Sequence, residues 1–292
     1  MNLNITAYST ALFATWYFIE ELGLLFDAGD GLISSLLQKS RKIENVFISH
    51  ADRDHLTGLL QLNQLNAREG FPHIYFPNDS NSFRALEEFS KNFDRRVKQT
   101  VWSGMKEEEP VQINKNTFVQ AVKNNHVRAA PNEHKSFGFL VYQTKAKLKE
   151  EYLALPQSEI VQLARSIGRE TMTHEVRTNL LAYSGDTPVE NFDKWNNTQI
   201  LIHEATFLDR NDIDSSDTRY NKHSSLEDVL KMVSELTLGA LILGHFSSRY
   251  THEQIDGKLK SLCKEFKIDI PVYRVLPGQM HRNILQETPV NY

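Results

Sequence analysis

Four short, mostly apolar runs in this chain each end on a histidine or a carboxylate, and that pattern limits the folds open to it more than any other feature. Asn45 to Ser49 (NVFIS) runs into His50, and Asn179 to Tyr183 into Ser184-Gly185-Asp186. Gln199 to Ile202 runs into His203-Glu204, and Leu238 to Leu243 into Gly244-His245. Continuous runs of this length read as strands covered on both faces. Sheets of that kind place functional side chains in loops at the C-terminal ends of their strands. Further strands are expected at Leu3 to Tyr8, Thr15 to Ile19, Leu24 to Phe26, Ile74 to Phe76, Phe118 to Val122, Phe137 to Tyr142 and Pro271 to Arg274. Helical periodicity falls at Leu32 to Gln38, at about Ser80 to Asn92, Ser158 to Ser166, Ser225 to Leu236 and His252 to Glu265, and on Leu56, Leu59, Leu60 and Leu62. Ser225, followed by Glu227 and Asp228, is a helix N-cap with an acidic first turn. The alternation predicts a layered α/β domain.

The chain has 292 residues, 40% of them hydrophobic, enough for one large domain or two small ones. No internal repeat, linker or low-complexity tract divides it, so residues 1–292 are read as a single domain. The charge-rich stretch 144–176 is its least sheet-like part and is expected to protrude as a short helical insertion. A net charge of -4 excludes a dominant nucleic-acid footprint, which is usually clearly basic, but leaves room for a local basic patch. The single Cys263 forms no internal disulfide and fits a reducing compartment. MNLNITAYST lacks the basic start of a signal peptide, and no apolar run reaches membrane-spanning length. These features predict a soluble cytoplasmic protein.

The densest polar feature is FISHADRDHLTGL, Phe47 to Leu59, where His50, Asp52, Asp54 and His55 fall within six positions. With His134 just before FGFLVY, and with Asp186, His203-Glu204 and His245 at strand ends, one sheet edge would gather enough imidazoles and carboxylates for one or two divalent cations. His73, His126, His174, His252 and His281 lack this setting and are read as ordinary histidines. His126, near His134, is the least settled of them.

These residues carry a family resemblance. His50-Ala-Asp52-Arg-Asp54-His55 is similar to the His-x-His-x-Asp-His motif of the metallo-β-lactamase fold superfamily, and Phe26-Asp27-Ala28-Gly29-Asp30-Gly31 to the turn that precedes it. Ala130-Pro131-Asn132-Glu133-His134 with Phe137-Gly138-Phe139 resembles the third-motif histidine, and Tyr183-Ser184-Gly185-Asp186-Thr187 the bridging-aspartate motif. His203-Glu204-Ala205-Thr206-Phe207, His223-Ser224-Ser225 and His245-Phe246-Ser247-Ser248-Arg249-Tyr250 resemble segments of the ribonuclease Z branch, in the same order. The resemblance spans about Leu3 to Arg274. It implies a four-layer αβ/βα sandwich, a two-metal site at one edge and a homodimer.

Carried over, the resemblance gives one metal His50, His134, Asp186 and Asp52, and the other Asp54, His55, His245 and the shared Asp186. Zinc suits these donors, with manganese or iron as alternatives. It implies a phosphodiesterase in which two metals activate a hydroxide, with Asp54 both ligand and catalytic residue. His223, oriented by Glu204, would protonate the leaving group, and Arg249 would bind a phosphate oxygen. A plain ion pair between Glu204 and Arg249 is the alternative. Asp27 either orients a ligand histidine or simply forms a turn.

Two departures stand out. Asp52 replaces a motif histidine, which should favour harder cations and lower that metal's Lewis acidity. The stretch Lys145 to Glu170 has basic residues but lacks the Gly-Pro and Gly-Lys-Leu signatures of the arm that grips tRNA. The substrate expected is therefore an RNA 3′ end or a smaller phosphodiester. Two other readings stay open: a hydrolase of small esters, lactones or thioesters on the same fold, since fold does not fix substrate, and a non-catalytic metal- or RNA-binding relative.

Overall fold

The structure is a computed structural model that describes residues 3–107, 109–213 and 222–292. Its strands form two seven-stranded sheets. The first contains β1 (Ile5–Thr10), β2 (Ala14–Ile19), β3 (Leu24–Phe26), β4 (Asn45–Phe47), β5 (His73–Pro77) and β6 (Val101–Met105) in sequence order, with β14 (Met280–His281) beside β1. The second contains β7 (Val111–Asn114), β8 (Thr117–Lys123), β9 (Phe137–Leu148), β10 (Thr173–Tyr183), β11 (Thr198–Glu204), β12 (Leu238–Gly244) and β13 (Val272–Arg274), also in sequence order. β3 to β6 run parallel, as do β10 to β13.

Between the sheets lies an aromatic core. Phe26 stacks on Phe139 and on Tyr183, and Phe47 meets Phe139 edge-on. Helices α1 (Leu32–Leu36), α2 (Arg53–Leu56), α3 (Leu59–Asn66) and α4 (Asn81–Phe93) follow strands of the first sheet, whose outer face packs through Leu32, Leu59, Leu62 and Phe83. Leu226, Val229, Leu230, Ile255 and Leu259, from α8 (Leu226–Val233) and α9 (His252–Glu265), cover the second sheet. This is the four-layer αβ/βα sandwich expected. Ser225 caps α8 by accepting the Asp228 N–H at 3.1 Å, and Thr251 with Gln254 forms a capping box on α9. No helix among the described residues is long and apolar enough to cross a membrane.

Two details differ from the sequence expectation, each for a local reason. The apolar stripe from Leu56 to Leu62 is two helices, because Gly58 passes against Gly29. The Gly58 N–H donates to Ala28 O at 2.7 Å, and a Cβ on Gly58 would lie 2.3 Å from Gly29 O. That contact holds the junction of α2 and α3 against the turn after β3. The stretch 144–176 is also not wholly helical. β9 and β10 continue as a long antiparallel pair out to Leu148 and Thr173, and only the tip is helical, as α5 (Glu150–Leu153), α6 (Gln157–Ile167) and α7 (Arg169–Met172). Exposed side chains on both strands conceal the alternation that would mark them in sequence.

Candidate metal centre

The site forms where the parallel strands of both sheets end. β4 leads through Ile48 and Ser49 to His50, and α2 carries Asp54 and His55. β10 leads to Asp186, β11 ends on Glu204, and β12 is followed by His245. His245 takes a left-handed φ of 59°, with its N–H donating to Ser9 Oγ at 2.8 Å. Bulk at Cβ disfavours that region for most residues, so the contact with the first sheet is part of what places the ring.

The clustered imidazoles share one arrangement: Nδ1 is bonded outward. The His55 Nδ1–H donates to Asp27 Oδ2 at 2.7 Å, and His126 Nδ1 to Lys222 O at 2.8 Å. Ser49 Oγ–H donates to Asp27 at 2.9 Å, so the hydroxyl accepts from His50 Nδ1 at 2.9 Å. Thr206 Oγ–H donates to Glu204 at 2.6 Å and accepts from His245 Nδ1 at 2.9 Å. His223 Nδ1 lies 3.0 Å from Glu204 Oε1. Fixing Nδ1 sets the tautomer and leaves Nε2 to face inward. The fully buried Nε2 atoms of His50 and His55 make no hydrogen bond, a costly state for an isolated polar atom.

Five overlapping groups of donors result: His50 with Asp52 and His126, Asp54 with His55 and His245, Asp186 with His50 and His55, Asp186 with His126 and His223, and Glu204 with His223 and His245. Asp186 thus links the first two. Asp186 Oδ2 lies 3.2 Å from His55 Nε2, 3.3 Å from His245 Nε2 and 3.7 Å from His50 Nε2. Asp52 Oδ2 lies 3.6 Å from Nε2 of both His50 and His126. Tetrahedral ligands at the usual 2.0–2.1 Å from zinc lie about 3.3–3.4 Å from one another. The spacing and the orphaned nitrogens both suit divalent cations.

His134 does not join the cluster. Its N–H donates to Asp79 Oδ2 at 2.8 Å and its Nδ1 lies 3.3 Å from the same oxygen. His126, read from sequence as ordinary, is buried with its ring 4.4 Å from that of His50. The strand-end signal that marked the other residues applies to it, three positions after β8. The family-like spacing before Phe137-Gly138 pointed to His134 instead. His203 bonds its neighbour's carbonyl through Nδ1 and lies outside the donor groups. Asp27, fully buried, accepts from Ser49 N–H, Ser49 Oγ, His55 and the Tyr183 hydroxyl, far more than a turn requires.

Charge in the metal-free site is tightly compensated. Burial alone would raise the Asp186 carboxyl, but His245 and His55 hold it well below the usual range. Burial lowers the His55 imidazole, yet Asp186 and Asp27 hold it well above its ordinary value. His223 follows the same logic: burial is outweighed by Glu204, with help from Asp186, and it is pushed up to about 9. Glu204 engages His223, Thr187 N–H and Thr206. Arg249 is exposed, with its Nε–H on Ser247 Oγ and its guanidinium 5.4 Å from the centre of the Phe207 ring. The Glu204–Arg249 ion pair is therefore not formed. Arg249, His223, Asp52, Asp54 and Asp186 line one cavity of about 130 Å³.

Fold and donor set together define a metal-dependent hydrolase of the metallo-β-lactamase fold. A beta-lactamase superfamily domain matches residues 24–149. The chain is ribonuclease Z-like in sequence: it is 29% identical over 228 residues to tRNase Z TRZ1 of Arabidopsis thaliana, covering 74% of this chain and 77% of that protein. Among solved structures it superposes on the metallo-beta-lactamase fold protein YhfI from Bacillus subtilis with a TM-score of 0.64 at 16% identity, covering 96% and 99% of the two chains. It superposes on the short form of human tRNase Z with a TM-score of 0.59 at 18% identity, covering 95% and 98%.

Proposed function

We propose that this chain is a two-metal phosphodiesterase of the ribonuclease Z type, acting on RNA 3′ ends or smaller phosphodiesters. The observation that carries the reading is a protonatable histidine, His223, held by buried Glu204 in the same cavity as the two donor groups that Asp186 links. His50, Asp52 and His126 would hold one ion, Asp54, His55 and His245 the other, and Asp186 both. Zinc suits the imidazoles; manganese and iron suit the added carboxylate. Such ions generate a nucleophile from water at neutral pH and offset charge on phosphoryl oxygens. His223 then supplies the leaving alkoxide with a proton, and Arg249 binds a non-bridging oxygen.

Local charge supports an anionic substrate despite the acidic total. Exposed Arg53, Arg128, Lys222 and Arg249 each lie within four residues of a clustered side chain. The helical tip between β9 and β10 gives less support for a tRNA grip, since Lys149, Arg165 and Arg169 there are balanced by Glu150, Glu151, Glu159 and Glu170. A homodimer in the cytoplasm remains part of the reading, resting on the family resemblance and on the single cysteine.

The direct test is a panel of a bis-aryl phosphodiester, a lactone and a precursor tRNA, each with zinc and with manganese. Phosphodiester turnover without lactone turnover is expected; the reverse would replace this reading with an esterase. Loading with metal should also release protons, because Asp186 and Asp27 favour the protonated form of His55 and an imidazole must give up any proton on its ligating nitrogen. Calorimetry in buffers of different ionisation enthalpy reads the release, and metal affinity should strengthen as pH rises. Asp52→His should raise the preference for zinc over manganese by roughly tenfold or more, since imidazole is the softer donor. A competition titration measures the ratio, and an unchanged ratio would remove Asp52 from the ligand set.

A further inference from the structure

Beside the metal cavity lies a larger groove of about 500 Å³, lined in part by Tyr8, Phe13, Tyr250 and His252. The two spaces share walls. Ala11 and Leu12, at the β1–β2 turn, line the metal cavity, while Thr10 and Phe13 line the groove. Ser247 and Arg249 face the first and Ser248 and Tyr250 the second.

The turn that separates them is firmly held. The Ala11 N–H donates to Phe246 O at 3.3 Å, the Phe13 N–H to Thr10 O at 3.1 Å, and the Leu12 N–H to Oδ2 of Asp54 at 3.0 Å. Leu12 has a φ of 71°, which a bulky residue adopts only when its surroundings impose it. The same turn leaves Leu12 73% and Phe13 62% exposed. Large apolar side chains left in water on a fixed turn, between a reactive cavity and an aromatic groove, mark a binding surface. The far wall is fixed as well: the Gly278 N–H donates to Thr10 Oγ1 at 3.0 Å, and His252 Nε2–H to Pro277 O at 3.0 Å.

We infer that this groove is a nucleobase subsite: the base next to the scissile phosphate stacks on Phe13 while the phosphate sits among the metal ligands. The inference deepens the phosphodiesterase reading and rests on it for the phosphate's position. The volume lies in the range of small-molecule sites. Aromatic rings take any base by its π-face, so the subsite selects nucleotides over plain sugar or alkyl phosphates rather than one sequence over another. Tying Leu12 to Asp54 sets the step between base and phosphate, because the turn that carries Phe13 is bonded to a metal-centre carboxylate.

Titration calorimetry with adenosine 5′-monophosphate, ribose 5-phosphate and adenosine separates the two spaces. Adenosine monophosphate should bind roughly tenfold or more tightly than ribose 5-phosphate, in line with one stacked base. Phe13→Ala should erase most of that gap and Phe13→Trp should keep it; Phe13 is exposed, so neither change should disturb folding. Equal affinity for the two phosphates, a gap that survives Phe13→Ala, or no binding of either adenosine compound would overturn the subsite. Adenosine that binds in a Phe13-dependent way, with no ribose 5-phosphate binding, would keep the groove and count against the phosphodiesterase reading.

Discussion

Asp186→Ala should leave a chain that retains neither metal and hydrolyses no phosphodiester at a measurable rate. One of its carboxylate oxygens stands 3.2–3.7 Å from the Nε2 atoms of His55, His245 and His50, so its loss opens both of the donor groups it links at once. Losing metal charge stabilisation of several kcal/mol corresponds to a rate loss on the order of 10³-fold or more. Metal analysis by mass spectrometry after gentle purification is the first readout and turnover the second. The metal-free fold should weaken too, since Asp186 balances the charge favoured on buried His55. Removing one partner of a buried ion pair costs about 3–5 kcal/mol. The loss should fall short of that range, because the His55 imidazole can shed its proton and Asp27 still bonds it. Full metal retention in this variant would remove the shared-carboxylate arrangement.

What the sequence disclosed and what it hid follow from how far apart the deciding contacts lie. Strand ends are local: an apolar run followed by His50, Asp186, Glu204 or His245 can be read without knowing the fold. The cap on α8 is equally local, which is why its N-terminus falls where Ser225 predicts. The choice between His126 and His134 is not local. It depends on the bond from His126 to the Lys222 carbonyl, 96 residues away, and on Asp79 engaging His134 from 55 residues away. No spacing rule reports either contact. The continuation of β9 and β10 was hidden for a different reason. Both faces of the pair lie in water near its tip, so no apolar alternation marks the strands, and pairing of Leu148 with Thr173 shows only in the fold. The β1–β2 turn is a third case. Leu12 and Phe13 look like ordinary apolar residues in sequence, and only the bond to Asp54, 42 residues on, ties them to the site.

His223→Ala should separate metal binding from proton delivery. His223 is directed by Glu204 rather than by either proposed ion-binding trio, so both ions should stay bound, as metal analysis would show. Losing a positioned acid costs roughly 10²–10⁴-fold in turnover, but the size should depend on the leaving group. A nitrophenolate departs without a proton, so a bis-aryl diester should lose little. A ribose or alkyl alkoxide needs the proton, so an RNA or alkyl diester should lose most of its rate. The diagnostic is the ratio of the two losses, measured as kcat at saturating substrate. Glu204→Gln should shift both rates the same way by a smaller factor, because the amide still holds the ring but no longer favours its charged form. Equal losses for the two leaving groups would make His223 a phosphate-binding cation instead of the acid. Loss of metal along with activity would place it in the ligand set, where its 3.9 Å approach to Asp186 gives that outcome a structural route.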